Sequence, residues 1–139
     1  GPEPWTAERF DLLPSLRVLA KCGVGLDNID LEAARGRGIK VTNTPGMNSN
    51  AVAELTVGLM ICVMRGIHYA AEALQHGERL HIPGHELTAR TVGLVGGGHI
   101  GRLVAKRLQG FEVQVLIHDP FLTEAPEGAQ LVKSLDELL

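Results

Sequence analysis

The stretch TVGLVGGGHIGRLVAKRLQGFEVQVLIHD, residues 91–119, decides how the rest of the chain is read. Thr91–Val95 is a short apolar run bounded by glycines, the pattern of a strand buried on both faces. Gly96-Gly97-Gly98-His99-Ile100-Gly101 follows directly and fits G-x-G-x-x-G. Arg102 to Leu108 has helical spacing, with Ile100, Val104, Ala105 and Leu108 on one side. Val113–Ile117 reads as a second apolar strand, and Asp119 closes it about eighteen residues past the last glycine, near the spacing of a dinucleotide-binding βαβ unit.

Each part of that unit has a physical task. Gly96 permits the tight turn out of the strand, Gly98 lets a pyrophosphate approach the backbone, and Gly101 lets helix and strand pack closely. The free N–H groups and the positive dipole end of the helix suit a diphosphate at His99 and Ile100. Asp119 is placed to accept hydrogen bonds from the adenosine ribose hydroxyls and to repel a 2′-phosphate. No Lys or Arg stands in Phe121-Leu122-Thr123 to offset that charge, so NAD is expected rather than NADP. A glycine-rich turn alone is weak evidence; strand, glycines, helix, strand and acid in this order favour a cofactor site over a merely structural turn.

Composition sets the frame around this unit. A chain of 139 residues is one domain or part of one and can bury a real core. With 45% hydrophobic and 21% charged residues it reads as an ordinary soluble α/β protein. The formal net charge of −3 gives no reason to expect nucleic acid or an anionic membrane as a partner. Cys22 and Cys62 sit inside apolar runs without metal spacing and read as buried free thiols of a cytoplasmic protein. No signal peptide, internal repeat or low-complexity tract is visible, and Gly1-Pro2 fits the scar of tag removal.

In order along the chain, residues 3–16 read as a short helix between prolines, capped by Thr6, with Phe10, Leu12 and Leu13 on its apolar side. Residues 17–22 read as a strand and 23–28 as a turn. Asp30 caps a brief helix that Gly36 and Gly38 end. Residues 39–43 read as another strand, stopped by Pro45-Gly46. Asn48 or Asn50 then caps one long helix to about Gln75, roughly 40 Å at 1.5 Å per residue. Between Leu55 and Met64 it carries no charge, too short a run to span a membrane. An apolar surface of this length needs a cover, and a subunit interface is favoured over burial within one chain. His81 and His85 are four apart, but Pro83-Gly84 between them breaks any helix, so they read as surface histidines and no metal site is expected. Past Asp119 come a turn-rich loop, a third short strand at 129–132 and a helix start capped by Ser134.

Three segments in this order, GVGLDNID at 23–30, NTPGMNSNAVAELTVGLM at 43–60 and ELTARTVGLVGGGHIG at 86–101, followed by HDP at 118–120, resemble the D-isomer-specific 2-hydroxyacid dehydrogenases, and within them the 3-phosphoglycerate dehydrogenase branch. The resemblance covers the chain from about Pro4 to Leu139. It implies a partial Rossmann fold, a doubly wound parallel sheet, in two parts. Residues 1–45 would be a remnant of a flavodoxin-like substrate domain. Residues 46–139 would be the NAD domain, opened by a helix that forms a homodimer. It also implies a small 2-hydroxy or 2-oxo acid as substrate, its carboxylate held by the amides at Val24 and Gly25, with Lys21 near the substrate anion.

The resemblance has departures too. Glu112 stands where the family often has Gly, and Ala89-Arg90 where Gly-Lys is common; the loop at 77–84 is shorter and lacks a usual Trp. The family's catalytic Arg, Glu and His would fall after Leu139, so residues 1–139 by themselves are not expected to catalyse hydride transfer. The alternative is a dinucleotide-binding or dimerisation module of the same fold that does no hydride chemistry. An unrelated Rossmann protein is a third reading, which the 23–30 and 43–60 segments oppose.

Overall fold

A computed structural model of the chain describes residues 2–139. The chain divides into two compact units that part between Asn48 and Ser49, a few residues beyond the boundary expected at 45/46.

The first unit holds α1 (Ala7–Asp11), β1 (Val18–Ala20), α2 (Leu31–Gly36) and β2 (Lys40–Thr42). The strands run parallel, with Leu19 opposite Val41, so α2 is the crossover of a βαβ unit. Phe10, Ile29, Ala34 and Ile39 form its core, with Trp5 packed against Phe10 at 5.8 Å between ring centroids. Helix α1 is shorter than the expected 3–16, because Pro14 disfavours helical backbone at Leu13. Of the three residues expected on its apolar side only Phe10 is buried; Leu12 and Leu13 lie past its end and are exposed. Thr6 occupies the N-cap position without accepting from a helix N–H. Its hydroxyl instead hydrogen-bonds the Glu8 carboxylate, which, with the Glu8 backbone N–H, holds that carboxyl below its ordinary 4.5. Asp30 caps α2 as expected, accepting from the Ala33 N–H at 2.8 Å.

The second unit opens with α3 (Ser49–Arg65) and α4 (Ile67–Gln75), where the sequence predicts one continuous helix. The break is at Gly66, whose φ of 59° is left-handed, and the axes bend by 71°. A left-handed residue interrupts the run of i to i−4 bonds, and glycine adopts it without steric cost. Asn50 lies inside α3, so it is not the cap. No single helix among the described residues is long and apolar enough to cross a membrane; α3 and α4 together reach that length and composition only across the bend.

Next come β3 (Thr91–Val95), α5 (His99–Leu108), a 3-10 turn at Gln109–Phe111, β4 (Gln114–His118), β5 (Gln130–Leu131) and α6 (Leu135–Leu138). The three strands are parallel in the order β3-β4-β5. Ala53 and Val57 of α3 pack on Val104, Ala105 and Leu108 of α5, with Val115 and Ile117 of β4 beneath. Each large side chain fully buried there contributes roughly 1.5–3 kcal/mol. β3 departs from the expected strand buried on both faces. Val92 and Leu94 are half-buried against the α3–α5 core, whereas Val95 is 73% exposed. Thr91 and Gly93 share that exposed face, so β3 is covered on one face rather than two; among the described residues it is also paired on one edge only. The cysteines also differ from expectation: both are free thiols, but Cys22 is exposed and Cys62 half-buried.

Candidate functional site

The site is built where β3 hands over to α5. The Gly96 N–H donates to the His118 carbonyl at 2.8 Å, so the ladder continues into the glycine turn. Gly96 then takes φ 98°, a conformation that L side chains rarely adopt. A Cβ at Gly101 would overlap the Gly96 carbonyl oxygen, which fixes how closely α5 approaches the strand. A Cβ at Gly98 would meet nothing within 4 Å. The three glycines of the pattern thus serve a turn, an open approach and a close contact. Gly98 is also the N-cap of α5 and offers no capping side chain, which leaves that end of the helix suited to an anion.

Asp119, at the end of β4, reaches the same turn. One carboxylate oxygen accepts from the Gly97 N–H at 2.8 Å and the other from the Phe121 N–H at 2.9 Å. These two backbone bonds, helped by the nearby His118 and Arg102 charges, hold its carboxyl below the ordinary 3.8. From α5, Arg102 Nε donates to the Gly97 carbonyl at 3.0 Å. His99 and Ile100 are both exposed in the first turn of α5. Ile100 was expected beside Val104 and Leu108, but it lies one turn nearer the glycines and outside that core. The structure therefore gathers Gly96, Gly98, His99, Ile100, Gly101 and Asp119 at one place. Sequence reasoning missed the part of Gly97 and Arg102. Both contacts land on the backbone of Gly97, which carries no residue-type signal.

Lys21, Val24 and Gly25 belong to the first unit. Lys21 Nζ donates to Asn28 Oδ1. The loop after it is tied to the segment beyond β2: the Gly23 N–H donates to Thr44 Oγ1 at 2.9 Å, and Asn43 Nδ2 to the Val24 carbonyl at 2.7 Å. Val24 and Gly25 are exposed on this pinned loop. Elsewhere, His85 is held by its backbone N–H on the Met64 carbonyl at 2.8 Å. Among the described residues no three His, Cys, Asp or Glu side chains converge as metal ligands.

The residues present fit a dinucleotide. An open glycine faces an uncapped helix end, and a carboxylate held in its charged form closes the second strand. The family profile described as D-isomer specific 2-hydroxyacid dehydrogenase, catalytic domain, matches residues 2–130. Hydroxypyruvate reductase of Thermotoga maritima is 43% identical over 135 residues, 96% of this chain and 44% of that protein. D-3-phosphoglycerate dehydrogenase of Methanocaldococcus jannaschii is 41% identical over 138 residues, 96% of this chain and 26% of that one. The crystal structure of NAD-dependent formate dehydrogenase from Staphylococcus aureus in complex with NAD superposes with a TM-score of 0.84 at 34% identity, covering 97% of this chain and 42% of that one. The chain thus spans less than half the length of each of these relatives. With a parallel α/β architecture that is partly Rossmann-like and a family profile matched across nearly all of its residues, the chain belongs to the D-isomer-specific 2-hydroxyacid dehydrogenase family.

Proposed function

We propose that this chain is the NAD-binding portion of an oxidoreductase that acts on the CH–OH group of a D-2-hydroxy acid, of the phosphoglycerate dehydrogenase type. The observation that carries the reading is the meeting of an open glycine turn, an uncapped helix N-terminus and a carboxylate held in its charged form. NAD, when bound, supplies the hydride acceptor. The chain's own residues do the holding. The turn at Gly96 and Gly98 and the first turn of α5 take the diphosphate, and Asp119 takes the adenosine ribose. In the first unit the amides of Val24 and Gly25 receive a substrate carboxylate, with Lys21 as the neighbouring cation. The protein works as a homodimer through α3, and its free thiols fit the reducing cytoplasm.

The test is calorimetric. NADH is expected to bind about ten- to a hundred-fold more tightly than NADPH, the effect of setting a 2′-phosphate against an unneutralised carboxylate. Equal affinity for the two cofactors would defeat the assignment of Asp119, and binding of neither would defeat the cofactor reading.

A further inference from the structure

Three consecutive glycines leave the turn after β3 with no side chain to shape it, and glycine loses more conformational freedom on ordering than any other residue. What orders the turn comes from outside it. Gly97 is gripped through both of its backbone groups: its N–H by the Asp119 carboxylate at 2.8 Å and its carbonyl by Arg102 Nε at 3.0 Å. Asp119 is itself fixed by the Phe121 N–H on its other oxygen. A carboxylate has about four acceptor positions, so two remain for a ribose after both backbone donors are served.

We propose that Asp119 is a positioning residue for the diphosphate as well as the reader of the ribose, holding the glycine turn in the shape that presents its backbone to an anion. The affinity part of this rests on the NAD reading above; the brace itself does not. One consequence is that exchanging Asp119 cannot convert the site cleanly to NADP, because removing the charge that repels a 2′-phosphate also loosens the turn beneath the diphosphate. Asp119→Asn separates the two roles. An amide still bonds ribose hydroxyls, but it presents one oxygen and one NH2 to two backbone donors, so one of them loses its acceptor.

The brace is first tested without any ligand, by proton–nitrogen NMR of the wild-type protein. The Gly97 and Phe121 amide resonances should titrate together with the Asp119 carboxyl carbon, below the ordinary 3.8. His118 and Arg102 are the charged groups beside that carboxylate. A Gly97 amide that ignores the Asp119 titration overturns the proposal. Asp119→Asn should then speed hydrogen exchange at Gly97 and weaken binding of inorganic pyrophosphate by about tenfold, the usual effect of one charge-assisted bond. Adenosine, which carries the ribose and no phosphate, should lose less. Unchanged pyrophosphate affinity in the variant overturns the proposal. If the wild type binds neither NADH nor pyrophosphate, the cofactor reading fails, while the ligand-free titration still decides the brace.

Discussion

At the scale of single residues, two glycines of the turn separate folding from binding. Gly101→Ala would drive a Cβ into the Gly96 carbonyl, a backbone atom that cannot swing aside. It should lower the urea midpoint and abolish NADH binding together. Gly98→Ala meets open space and an extended φ of −70°. It should leave the midpoint nearly unchanged and still weaken NADH, since its methyl occupies the side a diphosphate approaches. Two departures from the family pattern also find a physical meaning. Ala89 (φ 59°) and Glu112 (φ 55°) are the described non-glycine residues with left-handed backbone, and the Ala89 N–H donates to the Glu112 carbonyl at 3.2 Å. A left-handed L-residue costs roughly 1–2 kcal/mol, partly offset by the greater entropy glycine has when unfolded. Glu112→Gly should therefore stabilise the protein by about 1 kcal/mol in urea melts, and Glu112→Val should destabilise it.

At the scale of elements, the break between α3 and α4 is the feature with most consequence. Gly66 is left-handed, and a Cβ there would also stand 2.8 Å from Ile82 Cγ2. Backbone strain and side-chain crowding therefore oppose any substitution. Gly66→Ala is expected to cost about 1–2 kcal/mol in urea unfolding, and an unchanged midpoint would mean that the bend is not held as described. The last helix shows the opposite, local kind of control. Ser134 Oγ accepts from the Glu137 N–H at 3.2 Å, while Glu137 reaches back to the Lys133 N–H at 2.8 Å. This reciprocal arrangement starts α6 from five neighbouring residues, Lys133 to Glu137. Leu138 of that helix then lies over Gly93 of β3, where a Cβ would stand 3.0 Å from its Cγ.

At the scale of the whole molecule, the question is what covers α3. Ala53 and Val57 are buried against α5, but Leu55, Leu59 and Val63 are 61%, 54% and 70% exposed. Beside them an apolar groove of about 710 Å³ runs along β3, with Met60, Leu87 and Val92 in its wall. A stripe of this kind on a helix signals association. The homodimer proposed above would be isologous, with α3 of one copy meeting α3 of the next. Light scattering at micromolar concentration should give at least a dimer. Leu59→Asp should shift it to monomer with its far-ultraviolet circular dichroism retained, because Leu59 packs in neither core. A clean monomer of the unsubstituted protein would sink the proposal.

The sequence by itself determined the βαβ unit. Thr91–Val95 was legible residue for residue, and the glycine pattern located the turn and the acid that faces it, although α5 starts at His99 rather than Arg102. Asp30 and Ser134 were legible as caps, because capping depends on a few adjacent residues. Tertiary structure alone decided the rest. The left-handed glycine that breaks the long helix has no sequence signal, since a lone glycine inside a helical pattern is tolerated more often than not. Burial of β3 on one face only, exposure of Ile100 and Cys22, and the grip of Asp119 and Arg102 on the Gly97 backbone depend on which elements pack together. Those contacts join atoms far apart in the chain, several of them backbone atoms alike in every residue, so periodicity and spacing carry no record of them.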